Sequence, residues 1–105
     1  MRVSIKWDNA AWAQFEQLPA HAQQAVREIA ASFAQNPYGT KHAAYTISRG
    51  GRTVWVHTRA GTEVLVDYFR GGLFGRKITV TIVGVAAFRR PTMDEIEEQE
   101  RNPRR

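Results

Sequence analysis

Val3, Ile5 and Trp7 alternate with Arg2, Ser4 and Lys6, the period of two that a half-buried strand imposes. The period then changes. Behind a capping Asp8 or Asn9, Ala11, Trp12, Phe15 and Leu18 form one helical stripe, which Pro19 closes. A second helix is predicted over 20–35, with Ala22, Val26, Ile29, Ala30 and Phe33 on its apolar face and Asn-Pro-Tyr-Gly at 36–39 as its stop. The link at 18–20 is so short that the two helices must form a hairpin. Residues 40–52 read as a connection with a short strand at 44–48.

Three strands follow, at 53–59, 63–70 and 77–84, with turns at Ala60-Gly61 and at the Gly-Gly-Leu-Phe-Gly run of 71–75. Period-two alternation assigns Val54 and Val56, then Val64, Val66 and Tyr68, then Ile78, Val80 and Ile82 to a continuous apolar face for the helices to cover. Trp55, His57 and Arg59 fall on the opposite, open face, with Glu63, Leu65, Asp67, Phe69, Lys77, Thr79 and Thr81. Arg59 is expected to pair across the turn with Glu63, and Asp67 to orient His57 or pair with Lys77. Thr92-Met93-Asp94-Glu95 has the pattern of a capping box and starts a short acidic helix to about Glu100, with a frayed Arg-Asn-Pro-Arg-Arg end. The fold class is α+β: an N-terminal strand, a helical hairpin, a three-stranded antiparallel meander in one sheet backed by the helices, and a short C-terminal helix. Residues 1–91 read as a single domain and 92–105 as an appended helix and tail.

Composition narrows the setting. A chain of 105 residues, 43% hydrophobic, supports one modest core. The absence of cysteine excludes disulfides and thiolate metal sites. The first residues read as a strand rather than a signal peptide, no apolar run is long enough to span a bilayer, and the expected location is the cytoplasm. The net charge of +5 is unevenly distributed: residues 41–91 sum to +7, whereas residues 92–105 sum to −2. A positive field in the second half attracts phosphate backbones or an acidic protein partner.

The order strand, helix, helix, three antiparallel strands and basic exit resembles the RelE/ParE superfamily of toxins from bacterial toxin–antitoxin systems. "IKWDNAAWAQFEQLPAHAQQAVREIAASFAQNP" is similar to that family's first strand and helical hairpin. "TVWVHTRAGTEVLVDYF" resembles its central hairpin, and "KITVTIVGVAAFRR" its last strand and basic tail. The resemblance implies a basic groove on the open sheet face. In RelE-like members that groove binds messenger RNA in the ribosome and cleaves it without a metal or other cofactor. In ParE-like members the same fold inhibits DNA gyrase by protein binding and has no nuclease site. A cognate antitoxin neutralises either kind, and no membrane partner is implied.

The family's basic residues on the central hairpin are replaced here by Trp55 and His57, which is closer to the histidine-using branch exemplified by YafQ and HigB. On that reading His57, His42, Arg59 and Arg89 form the cleavage set. Histidine moves protons near neutral pH, and arginine holds a phosphorane through its fork of donors. Arg49, Arg52, Lys77 and Arg90 would bind phosphates, and Trp55 would stack a base. The expected function is therefore a ribosome-dependent messenger endoribonuclease. The alternatives are a gyrase-binding toxin without catalytic residues and a noncatalytic module that binds nucleic acid or a partner.

Overall fold

The computed structural model describes residues 2–36, 42–90 and 92–101. The predicted stop after Asn36 and the frayed end after Arg101 lie outside these residues. The class is α+β. Five strands, β1 (Arg2–Trp7), β2 (Ala43–Arg49), β3 (Arg52–Arg59), β4 (Thr62–Gly71) and β5 (Lys77–Ala87), form one sheet in the order β1-β5-β4-β3-β2. β2 to β5 are antiparallel neighbours, and β1 runs parallel to β5 at the edge. The strand expected at 44–48 is thus a full edge strand of seven residues. Helices α1 (Asn9–Glu16), α2 (Ala20–Gln35) and α3 (Met93–Arg101) complete the chain.

Ala11 and Phe15 of α1, and Val26, Ile29 and Phe33 of α2, pack on Val64 and Val66 of β4 and on Ile78, Val80, Ile82 and Val85 of β5. Trp7, Trp12 and Phe15 close one end, with ring centroids 5.2–5.3 Å apart. α1 also completes the sheet edge. β1 ends opposite Ile82, and beyond it the Val85 N–H donates to Gln14 Oε1 at 3.0 Å. An α1 side chain thus takes the hydrogen bond a longer β1 would have accepted, as a buried backbone donor requires.

One facing assignment from the sequence is reversed. Cross-strand partners share a face, and the two-residue turn at Ala60 and Gly61 makes Arg59 the partner of Thr62, His57 of Val64 and Trp55 of Val66. Trp55, His57 and Arg59 therefore lie on the helix-covered face with Val64, Val66 and Tyr68. Val54 and Val56 pair with Ile47 and Tyr45 of β2, Val56 also with Leu65 of β4, and they bury on the other side. A shift of one residue exchanges the two sets, because side-chain direction alternates with period two.

The turn itself is held by sterics. Ala60 and Gly61 have φ of 51° and 78°, the left-handed region a two-residue hairpin of this kind needs. The Gly61 carbonyl accepts the N–H groups of Phe88 and Arg89. A Cβ at Gly61 would lie 2.4 Å from the Arg89 carbonyl oxygen, so the chain leaving β5 folds closely over this turn. A second irregularity sits between β4 and β5. Leu65 pairs with Gly84 but Val66 with Ile82, leaving Val83 as an extra residue. The bulge lets both Ile82 and Val85 face the core.

Candidate nucleic-acid interface

The four residues of the expected cleavage set are all engaged. His57 is fully buried; its Nε2 is hydrogen-bonded to the Tyr68 hydroxyl at 3.0 Å, and its ring meets Phe33 edge-on at 5.0 Å. This corrects its expected place on the open face. The α2 helix covers it because the turn register turns β3 inward. His42 is likewise buried, just before β2, and its carbonyl accepts the Thr58 N–H at 2.8 Å.

Arg59 donates through Nε to the carboxylate of Glu28 on α2, and its Nη2 lies 4.0 Å from Glu98 of α3. The expected Arg59–Glu63 pair does not form, because Arg59 points under the helices. Glu63, on the open face, instead accepts from the Tyr45 hydroxyl at 3.4 Å. Arg89 forms a two-pronged bond to Glu95, at 2.7 and 3.0 Å.

Glu95 also completes the capping box read from the sequence. Its carboxylate accepts the Thr92 N–H at 2.9 Å, and its own N–H donates to the Thr92 hydroxyl at 3.2 Å. The Arg89 guanidinium, with the Thr92 N–H, holds the Glu95 carboxyl down from its ordinary 4.5 to about 2. A carboxylate with a depressed folded-state pKa stabilises at pH above its ordinary value and loses that contribution as pH falls toward the depressed one. The start of α3 is therefore expected to loosen between about pH 4.5 and about pH 2. Amide exchange at Thr92, Glu95 and Ile96 measures this, and Glu95→Gln should show the loosened state at neutral pH.

Several accessible cations lie along the open face. Near β2 and β3, Arg49, Arg52, Asp8, Val54, Asp67 and Val83 line a trough of about 250 Å³. Asp67 pairs with Arg52 there, not with His57 or Lys77 as expected from the sequence. With Arg52 69% exposed, that ion pair is screened by water and contributes little to stability.

Toward β1 and β5 the charges on the face are basic among the described residues that line it. Lys6, Lys77, Thr79, Thr81 and Phe69, with Gly71 and Gly72, line a groove of about 500 Å³. Lys6 and Thr81 are register partners, and Thr79 partners Phe69, so all project from the same side of the sheet. The Phe69 ring is 66% exposed. A Cβ at Gly71 would meet that ring at 2.6 Å, so glycine there lets it lie along the strand.

An adjoining groove of about 360 Å³ shares Gly72 and Lys77 and adds Arg2, Arg76, Leu73 and Phe74. Leu73 and Phe74 are 80% and 83% exposed at the tip of the β4–β5 turn. Phe74 is held at φ 59°, and Arg70 Nε braces the turn by donating to the Gly75 carbonyl at 2.8 Å. Among the described residues, no carboxylate lines either groove. Cations interleaved with exposed rings and hydroxyls are the chemistry of a surface for single-stranded nucleic acid. The cations take phosphates and the rings stack bases.

Of the expected phosphate-binding residues, Lys77 lies in this groove, Arg49 and Arg52 in the neighbouring trough, and Arg90 outside both. Trp55 is partly exposed on the helix-covered side, edge-on to Tyr68 at 5.9 Å. Lys6, Phe69, Arg2 and Arg76 were not singled out from the sequence as binding residues. Lys6 joins the groove only through the parallel pairing of β1 with β5. Its signal was the polar side of the alternation in the first strand.

Among the described residues, no group of three His, Asp or Glu side chains is placed to hold a metal ion, and no helix is long and apolar enough to cross a membrane. Compared with protein-family models, with curated proteins and with solved structures, the chain matches none.

Proposed function

We propose that this chain is a growth-inhibiting toxin domain of the RelE/ParE type that acts by docking its basic open face on RNA, without a histidine acid or base. One observation carries the reading: an accessible groove of Lys6, Lys77, Thr79, Thr81 and Phe69, lined by no carboxylate among the described residues, on a molecule whose two candidate catalytic histidines are buried. The element order supports the toxin assignment, with a strand, a helical hairpin and consecutive antiparallel strands. The +7 of residues 41–91 supports an anionic target. On this reading the target is ribosome-associated RNA, and a small acidic antitoxin covers the groove.

Expression of the chain alone should arrest bacterial growth, and a small partner encoded beside it should relieve the arrest. In purified form it should retain single-stranded RNA with an affinity that falls steeply with salt. Removing two phosphate contacts with Lys6→Ala and Lys77→Ala should reduce the slope of log K against log salt by about 1.4, since each contact on a single strand contributes about 0.7. Phe69→Ala should weaken binding by about 1–3 kcal/mol, the worth of one stacked base. Unimpaired growth under confirmed expression overturns the toxin reading. An unchanged salt slope in the double variant overturns the groove assignment. Cleavage of messenger during translation by the purified chain would establish the enzymatic alternative, and loss of supercoiling with RNA unbound would establish the gyrase-binding one.

A further inference from the structure

On the helix-covered side of the sheet, apart from the open-face grooves, a cleft of about 290 Å³ lies between the start of α2 and the end of β5. Its wall is mostly apolar, made by Pro19, Ala22, Ala87 and Phe88. For scale, an engineered apolar cavity of about 150 Å³ takes up benzene, so one ring with a substituent fits here.

The cleft brings several hydrogen-bond donors together. α2 begins at Pro19, which supplies no side-chain cap, and has no acidic residue in its first turn. The N–H groups of Ala20, His21 and Ala22 therefore have neither an acceptor within the helix nor a carboxylate to offset the positive end of the helix dipole. Pro19, His21 and Ala22 themselves line the cleft. Arg90 stands at its rim, and its guanidinium makes no ion pair with any described residue. Its neighbour Arg89 also lines the cleft, but its donors are taken by Glu95.

The floor supplies an independent sign. Thr62 is 2% exposed and lines the same cleft, yet its hydroxyl hydrogen-bonds to no other described residue. The hydroxyl is thus a donor left over for an acceptor in the cleft, where valine would supply the same shape without one.

We propose that this cleft binds a small organic anion, an acidic head group on an apolar body of about one ring. The head group sits between the first N–H groups of α2, the Thr62 hydroxyl and Arg90, and the body lies against Phe88, Ala87 and Ala22. Carboxylate and phosphate heads satisfy the same donors, so the choice between them is made by experiment.

The full chain, labelled with ¹⁵N, is titrated with phenyl phosphate, benzoate and inorganic phosphate, and the amide resonances of His21, Ala22 and Thr62 are followed. At least one of the two organic anions should shift them saturably, and inorganic phosphate should bind about tenfold more weakly, the equivalent of about 1.4 kcal/mol. Arg90→Ala should weaken binding about fivefold or more, and Thr62→Val about threefold or more, at or above the net worth of one lost hydrogen bond. Arg27→Ala, an exposed cation of α2 that lines neither this cleft nor the open-face grooves, should change nothing. Arg90 is exposed, so its variant tests the site even if Thr62→Val folds poorly. Absence of saturable shifts with both organic anions overturns the proposal. Equal weakening by Arg90→Ala and Arg27→Ala does so too, since it reduces the effect to general surface charge.

Discussion

Arg59→Ala is expected to destabilise the domain by about 3–5 kcal/mol, the range seen when one partner of a buried ion pair is removed. Glu28 sits on the inner side of α2 with a fully buried side chain, and Arg59, whose side chain is 16% exposed, is its cation. Without Arg59 the buried carboxylate keeps, among the described residues, only the Gln24 amide at 3.4 Å as a side-chain partner. The same change also removes the approach to Glu98, and so loosens α3. Urea denaturation followed by circular dichroism measures the effect as a fall in midpoint at constant slope. Replacing both partners, Glu28→Leu with Arg59→Met, should recover most of the loss, because a buried pair exchanged for apolar side chains of similar size is often neutral or better. A cost below about 1 kcal/mol for Arg59→Ala would show that the pair is hydrated, as surface pairs are.

His57→Ala should be nearly as damaging, at about 2–5 kcal/mol, the range for large-to-small changes in a packed core. The imidazole fills space between Phe33 and Tyr68 and is fully buried. Its deletion leaves a cavity under α2 and removes the hydrogen bond to the Tyr68 hydroxyl. His57→Leu restores most of the volume but not that bond, and should cost about 1 kcal/mol, the net worth of one hydrogen bond. Thermal melts of the two variants separate the cavity from the bond. An alanine variant that melts with the parent would return His57 to the surface and reopen its catalytic role. Any loss of toxicity in His57→Ala must therefore be read beside its melting curve.

The sequence by itself determined the class, the elements and their order, because each rests on a local signal. Alternation marked β1, β4 and β5, helical spacing marked α1 and α2, and Thr92 with Glu95 marked the start of α3. The inward set of β4 and β5 was legible for the same reason: Val64, Val66, Ile78, Val80 and Ile82 alternate with polar residues. The facing of β3 was not read from alternation, because Val54 and Val56 look more apolar than Trp55, His57 and Arg59. Alternation alone cannot say which half of a strand turns inward. The two-residue turn at Ala60 and Gly61 held that information, since it forces the pairing of Arg59 with Thr62.

Only the tertiary structure decided what makes the inward choice tolerable. Glu28 arrives from a helix 31 residues away to meet Arg59, and Tyr68 comes from the next strand to meet His57. Polar side chains are buried where partners reach them, and partners so distant in sequence leave no local pattern. The same limit hid the open-face groove. Lys6 and Lys77 come to line one groove through the parallel pairing of the first strand with the last, which sets Lys6 beside Thr81 and exists only once the sheet has closed.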